Sequence, residues 1–330
     1  MRKTFRTIST IIFTLLAINS IAKAEVKVVA SIKPIHSLVS YVMDGVGKPD
    51  IIVDGYNSPH NFSLKPSHAK MIEKANLIIW VGEDLETFLE KPLKSISKEA
   101  VNVEIMDLKG IKKLKFREKN IFEGHDDHGH SNKEHKEHGH DEHKEHGHKE
   151  KKHDDHGHEG HAHGEHDPHV WLDPMNAKVI VKEIENQLVK LDPENASKYK
   201  ANSKKAQTEL DNLTRNIKKD LKKDLRFVVF HDAYQYFEKR FGIKVLGALT
   251  VNPDVLPGAE QLSEIREVIE HEKVNCLFSE PQFNPAIIKS ISKDTNIKIG
   301  VLDPLGANLD KSKDMYIKLL KDMSNSFKGC

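Results

Sequence analysis

The residues of this chain best suited to chemistry are its histidines, 21 in 330 residues, because a neutral imidazole is the commonest side-chain ligand for metal ions. They form two populations. Fifteen lie between His125 and His166, six of them inside the sixteen-residue stretch HKEHGHDEHKEHGHKE at 135–150. The other six stand apart, at His36, His60, His68, His169, His231 and His271.

The dense tract comprises His125, His128, His130, His135, His138, His140, His143, His146, His148, His153, His156, His158, His161, His163 and His166. Its closely spaced pairs can chelate Zn²⁺, Cu²⁺ or Ni²⁺, since affinity alone does not choose among these ions. HDDHGH occurs at 125 and again at 153, and HGH occurs four times. Residues 123–168 are almost devoid of apolar side chains, so the tract is expected to be a disordered, acidic loop without metal. Because such a segment loses chain entropy on binding, its sites should be several, weak and poorly selective. HAHGEH at 161–166 mimics the HxHxDH ligand motif of metallo-β-lactamase-fold hydrolases, with Glu165 in place of Asp. Where about a third of the residues are histidine, that match is expected by chance. No HExxH zinc-protease pattern occurs.

A lone histidine in a folded domain carries more information. His60 stands in the polar loop GYNSPHNFSLKPS, His169 in DPHVWLDP where order resumes, and His231 in VVFHDAY at a strand end. Judged singly, each is more often a structural histidine than a ligand. His36, His68 and His271 fall in helical patterns and are weaker candidates, with His68 and His271 expected at the surface.

The elements that must position these residues alternate. EVKVVASI, DIIV, NLIIWVG and VNVEIMDL read as strands, separated by the helical stretches PIHSLVSYVM, PSHAKMIEKA and EDLETFLEKPLKSI. The second half repeats the pattern with the strands RFVVF, IKVLGAL, VNCLFSE and IKIGVLD. Strands alternating with helices predict parallel α/β layers. One helix is expected from Met175 to about Lys190. A second, opened by Asp192-Pro193, has an apolar stripe at Ala196, Tyr199, Ala206, Leu210, Leu213, Ile217 and Leu221. At about 30 residues it would span roughly 45 Å and join two α/β regions. In open parallel sheets ligands bind beyond the carboxyl ends of the strands, where His231, Glu280 and Asp303 fall.

The ends of the chain speak to location. Arg2, Lys3 and Arg6 precede the apolar run TIIFTLLAI, and AKA at 22–24 reads as a cleavage site, so an export signal cleaved after Ala24 is expected. The net charge of +1 offers no footprint for nucleic acid. An even pair of cysteines, Cys276 and Cys330, invites a disulfide in an oxidising compartment, with two unpaired thiols as the alternative.

SPHNFSLKPS, DPHVWLDP, FVVFHDAYQYFEKRFG, FSEPQFNPA and VLDPLG, in that order, together resemble the metal-binding solute-binding proteins of ABC importers, specifically their zinc-specific, ZnuA-like group. The resemblance runs through essentially the whole mature chain. It implies two α/β lobes, each with a mostly parallel sheet flanked by helices, joined by one long rigid helix. The divisions are a signal peptide at 1–24, a first lobe at 25–193 holding the His-rich loop at 123–168, a connecting helix at 194–222 and a second lobe at 223–330. By resemblance, His60, His169 and His231 are zinc ligands in the interlobe cleft. Asp303 is the candidate fourth ligand, with water as its competitor, because Pro59 stands where some zinc relatives have a glutamate. Glu280 would orient an imidazole through its other nitrogen. Cys276 and Cys330 match a disulfide of some zinc relatives.

The implied function is periplasmic capture of Zn²⁺ and delivery to a membrane permease with its cytoplasmic ATPase. Neither nucleic acid nor a small organic substrate is expected, and the protein is expected to be a monomer without enzymatic activity. The His-rich loop would be an accessory collector or sensor. Three rivals stay open at the sequence level. One is a zinc hydrolase with Glu280 as base; another is a storage or chaperone protein whose loop is the working part. The third is an importer component for manganese or nickel.

Overall fold

The computed structural model describes residues 25–117, 119–122, 164–221, 225–253, 255, 257–295 and 297–330. The expected export signal and the tract from His125 to His163 lie outside these residues.

Two four-stranded parallel sheets organise the chain. The first has the order β2-β1-β3-β4, built from β1 (Val28–Ile32), β2 (Asp50–Val53), β3 (Leu77–Trp80) and β4 (Val101–Glu104). Its crossovers carry α1 (Lys33–Val42), α2 (Pro66–Lys74) and α3 (Thr87–Ser95). Every residue of β1 and β3 is buried, as a parallel sheet covered on both faces requires. Proline at the first turn of α1 and of α2 starts each helix where a missing N–H costs nothing.

The second sheet repeats the plan with the order β6-β5-β7-β8. Its elements are β5 (Arg226–His231), α6 (Gln235–Phe241), β6 (Lys244–Thr250), α7 (Ala259–His271), β7 (Cys276–Ser279), α8 (Ala286–Thr295) and β8 (Lys298–Val301). Side chains of β5 alternate between two cores: Phe227 and Val229 join the main core that runs through both lobes, and Val228 and Phe230 join a smaller one with Leu246, Ile265 and Ile291.

Between the sheets run α4 (Pro174–Leu191) and α5 (Ala196–Asp220). The long helix has 25 residues, about 37 Å, somewhat shorter than its pattern suggests. Pro193–Asn195 forms a separate 3-10 turn, and Leu221 leaves helical geometry. Tyr199, Ser203, Ala206, Leu210, Leu213 and Ile217 are its buried stripe. They pack it chiefly against α4, with α1 and α9 (Met315–Lys328) alongside.

No element is expected from the sequence beyond Asp303, yet the chain ends in α9. Its buried face includes Met315, Leu319, Leu320, Met323 and Phe327, with Phe327 packed on Phe227, Phe237 and Phe278. Cys330 forms a disulfide with Cys276 at the start of β7, so the C-terminus is a pinned helix.

Residues 114–117 and 119–122 leave the first lobe and run along the second. Leu114 N–H donates to Tyr236 Oη at 3.0 Å, Phe122 N–H to the Leu246 carbonyl and Ala248 N–H to the Asn120 carbonyl, each at 2.8 Å. The strap thus lies along the β6 edge, with Ile121 bridged to Gly247. The chain returns beside it, where Asp167 N–H donates to the Leu114 carbonyl at 2.8 Å. A second interlobe clasp is made by Lys33, buried on α1, whose ammonium donates to the carbonyls of Gly306, Ala307 and Leu309, each at 2.9 Å.

Candidate metal centre

His231 is the last residue of β5 and projects from the carboxyl edge of the second sheet. His169 precedes a 3-10 turn at Val170–Leu172 that leads into α4. Its position is set by Trp171, whose indole N–H donates to the Pro304 carbonyl at 2.9 Å, and by Tyr316 Oη, which donates to the Trp171 carbonyl at 2.5 Å. His60 comes from the loop after β2. The fold brings the three together: one ring nitrogen of each lies within 4.8 Å of the others. Among the described residues this is the one such cluster of three or more metal-ligating side chains.

Each buried imidazole has a carboxylate behind it. Asp167 Oδ1 lies 2.7 Å from His169 Nδ1 and also accepts the His169 backbone N–H at 2.9 Å. Glu280 Oε1 lies 2.7 Å from His231 Nδ1. An ionised carboxylate only accepts, so it holds a proton on the Nδ1 it faces, and a neutral ring so held presents its Nε2 lone pair. Those two Nε2 atoms are 3.3 Å apart. At that distance either one Nε2 carries a proton and donates to the other, or a cation lies between two lone pairs. Zn–N bonds of about 2.0–2.1 Å in a tetrahedron separate two nitrogens by about 3.3 Å.

The electrostatics divide the pair. Burial, reinforced by the charge of His231, holds His169 well below the ordinary histidine pKa. Burial pushes Asp167 up to about 7 against the opposing pull of its backbone hydrogen bond and of Arg117. His231 is buried too, which by itself lowers its pKa. The Glu280 carboxylate, with Asp232 and Asp167, nevertheless carries it above the ordinary value. The walls are largely apolar, from Pro59, Trp171, Phe283, Pro304 and Leu305. They bury the His169 and His231 rings, while His60 stays half-exposed at the mouth.

Asp303 is placed differently from the trio. Its Oδ1 accepts from the backbone N–H of Leu305 and Gly306 and from Gln282 Nε2, and its Oδ2 accepts from the Ala307 N–H. It therefore shapes the loop that carries Pro304 and Leu305 over the site, and it lies outside the three-histidine cluster. Asp167 is the functional residue that sequence reasoning missed. Its signal was available: an aspartate two residues before His169 at the edge of the low-complexity tract.

Of the other histidines, His36 is buried on α1 with Nε2 3.1 Å from the Pro49 carbonyl. His68 accepts the Lys65 backbone N–H at the start of α2, where it is half-buried, and His271 is exposed at the end of α7. From the tract, only His166 is described. It makes an isolated antiparallel bridge to Lys115.

Residues 28–330 match the family described as zinc-uptake complex component A, periplasmic. The chain belongs to that family. It is 49% identical over 314 residues to the high-affinity zinc uptake system protein ZnuA of Brucella abortus, covering 94% of this chain and 93% of that one. To the protein of the same name from Haemophilus ducreyi it is 39% identical, over 96% of each chain. Among solved structures, the periplasmic zinc-binding protein TroA of Treponema pallidum superposes with a TM-score of 0.72 at 18% identity, over 93% of this chain and 99% of that one. That likeness carries the two-lobed fold. Family membership makes the protein a periplasmic solute-binding component of zinc uptake, a part of a transport system and not an enzyme. The family works with an ABC permease and its ATPase.

Proposed function

We propose that the protein captures Zn²⁺ between its lobes with His60, His169 and His231 and hands it to the membrane permease of an ABC importer driven by a cytoplasmic ATPase. The observation that carries this reading is the 3.3 Å separation of His169 and His231 Nε2, with a nitrogen of His60 in the same cluster. Imidazole donors favour Zn²⁺ over a hard ion such as Mn²⁺. Asp303 is the protein's candidate for the fourth position and water its competitor. The four donors now on the Asp303 carboxylate favour water. Glu280 and Asp167 orient His231 and His169 and leave their Nε2 lone pairs free for the metal.

The protein acts as a monomer, exported with cleavage after Ala24. The His-rich tract is an accessory that gathers zinc weakly near the cleft. A competition titration by calorimetry tests this reading, using the mature chain, a chain lacking residues 125–163, and His231→Ala in each background. A tight site that survives the deletion and vanishes with His231→Ala supports capture in the cleft. A tight site that vanishes with the deletion and ignores His231 makes the protein a storage device whose tract is the working part.

A further inference from the structure

Three buried carboxylates cluster beneath the metal centre, and none belongs to the three-histidine set. Asp232 follows His231, Glu238 lies on α6, and Asp167 stands behind His169; all are buried. Among the described residues neither oxygen of Asp232 accepts a hydrogen bond. A buried carboxylate without such partners is costly unless a cation compensates it.

That cation is Arg117, on the strap. Its Nε lies 3.1 Å from Asp232 Oδ2, and its Nη2 donates to Glu238 Oε1 at 2.5 Å. The guanidinium stacks on the Phe122 ring with 3.8 Å from Cζ to the centroid. Burial still holds Asp232, Glu238 and Asp167 above the ordinary carboxylate range, and the Arg117 charge opposes that effect at all three. Three residues before Arg117, the Leu114 carbonyl receives the Asp167 N–H. One planar fork therefore ties the β5 terminus that carries His231 to the strap against which the His169 segment is built.

We infer that Arg117 is a positioning residue of the metal centre, setting the spacing between His169 and His231 by clamping Asp232 and Glu238 to the strap. This rests on the reading of the three histidines as zinc ligands. The guanidinium touches no metal and acts through the backbone it holds. Its planar two-pronged geometry matters, because a lysine offers the charge without the reach to both carboxylates.

The test compares zinc affinity and the visible absorption of bound Co²⁺ in the mature chain, His231→Ala, Arg117→Gln, Arg117→Lys and Arg240→Gln. Arg240 makes a comparable interlobe pair with Asp173, both contacts at 2.6 Å, and controls for general loosening. Arg117→Gln should weaken zinc at least about tenfold and change the Co²⁺ band. Arg117→Lys should recover part of both, and Arg240→Gln should lower thermal stability with affinity and band unchanged. The inference is overturned if Arg117→Gln keeps the parent affinity and band, or if Arg240→Gln loses as much as Arg117→Gln. Failure of the zinc reading itself shows separately, as a parent protein whose tight site is indifferent to His231→Ala.

Discussion

His169 Nε2 and His231 Nε2, 62 residues apart in the chain, face each other at 3.3 Å, each turned there by a carboxylate on its other nitrogen. Loss of either carboxylate frees a ring to rotate or to change tautomer. Asp167→Ala and Glu280→Gln should each weaken zinc by roughly 10–100-fold with all three histidines intact. Competition calorimetry reads this directly, and parent affinity in both variants would remove the orienting role.

Zinc binding should weaken as the pH falls, and the raised His231 should set the onset. A group with a raised pKa holds its proton to higher pH, so protons compete for His231 Nε2 before they reach His169, whose pKa is depressed. Below the raised pKa of His231 the logarithm of affinity should fall by about one per pH unit. Glu280→Gln removes the carboxylate that raises His231, so its onset should move to lower pH. Equal affinity at about pH 7.5 and about pH 5.5 would contradict the ligand assignment.

The disulfide closes a span of 54 residues, which on a chain-entropy basis stabilises the fold by at most about 4 kcal/mol. Cys330→Ser should lower the thermal midpoint by several degrees, and reduction of the parent protein should reproduce the shift. Parent behaviour that is insensitive to reductant would show that α9 is held by its packing alone.

Gly247 tests the strap. A methyl group there would meet the Asn120 carbonyl oxygen at 2.8 Å, a backbone contact that no side-chain rotation relieves. Gly247→Ala should destabilise the protein by about 1–3 kcal/mol and speed amide exchange at Phe122 and Ala248, whose N–H groups make the strap's hydrogen bonds. Unchanged exchange there would mean that the strap is held elsewhere.

Much of this molecule is legible in its sequence because its signals are local. The alternation of apolar runs and amphipathic stretches reports two parallel sheets. The contexts of His60 in a polar loop, His169 where order resumes and His231 at a strand end separate them from a tract where histidine is merely abundant. The α9 stripe at Met315, Leu319, Leu320, Met323 and Phe327 has the same kind of periodicity, so this element was within reach of the pattern that revealed the others.

Tertiary structure alone decides what joins distant residues. Asp303 stands at a strand end as a candidate ligand, but three backbone N–H groups of its own loop occupy it once that loop is folded. Arg117 belongs to a basic stretch with no periodicity, and its partners Asp232 and Glu238 lie more than a hundred residues away. Periodicity records which face of an element is apolar. It is silent on which carboxylate a buried guanidinium will meet, because that depends on how two lobes pack.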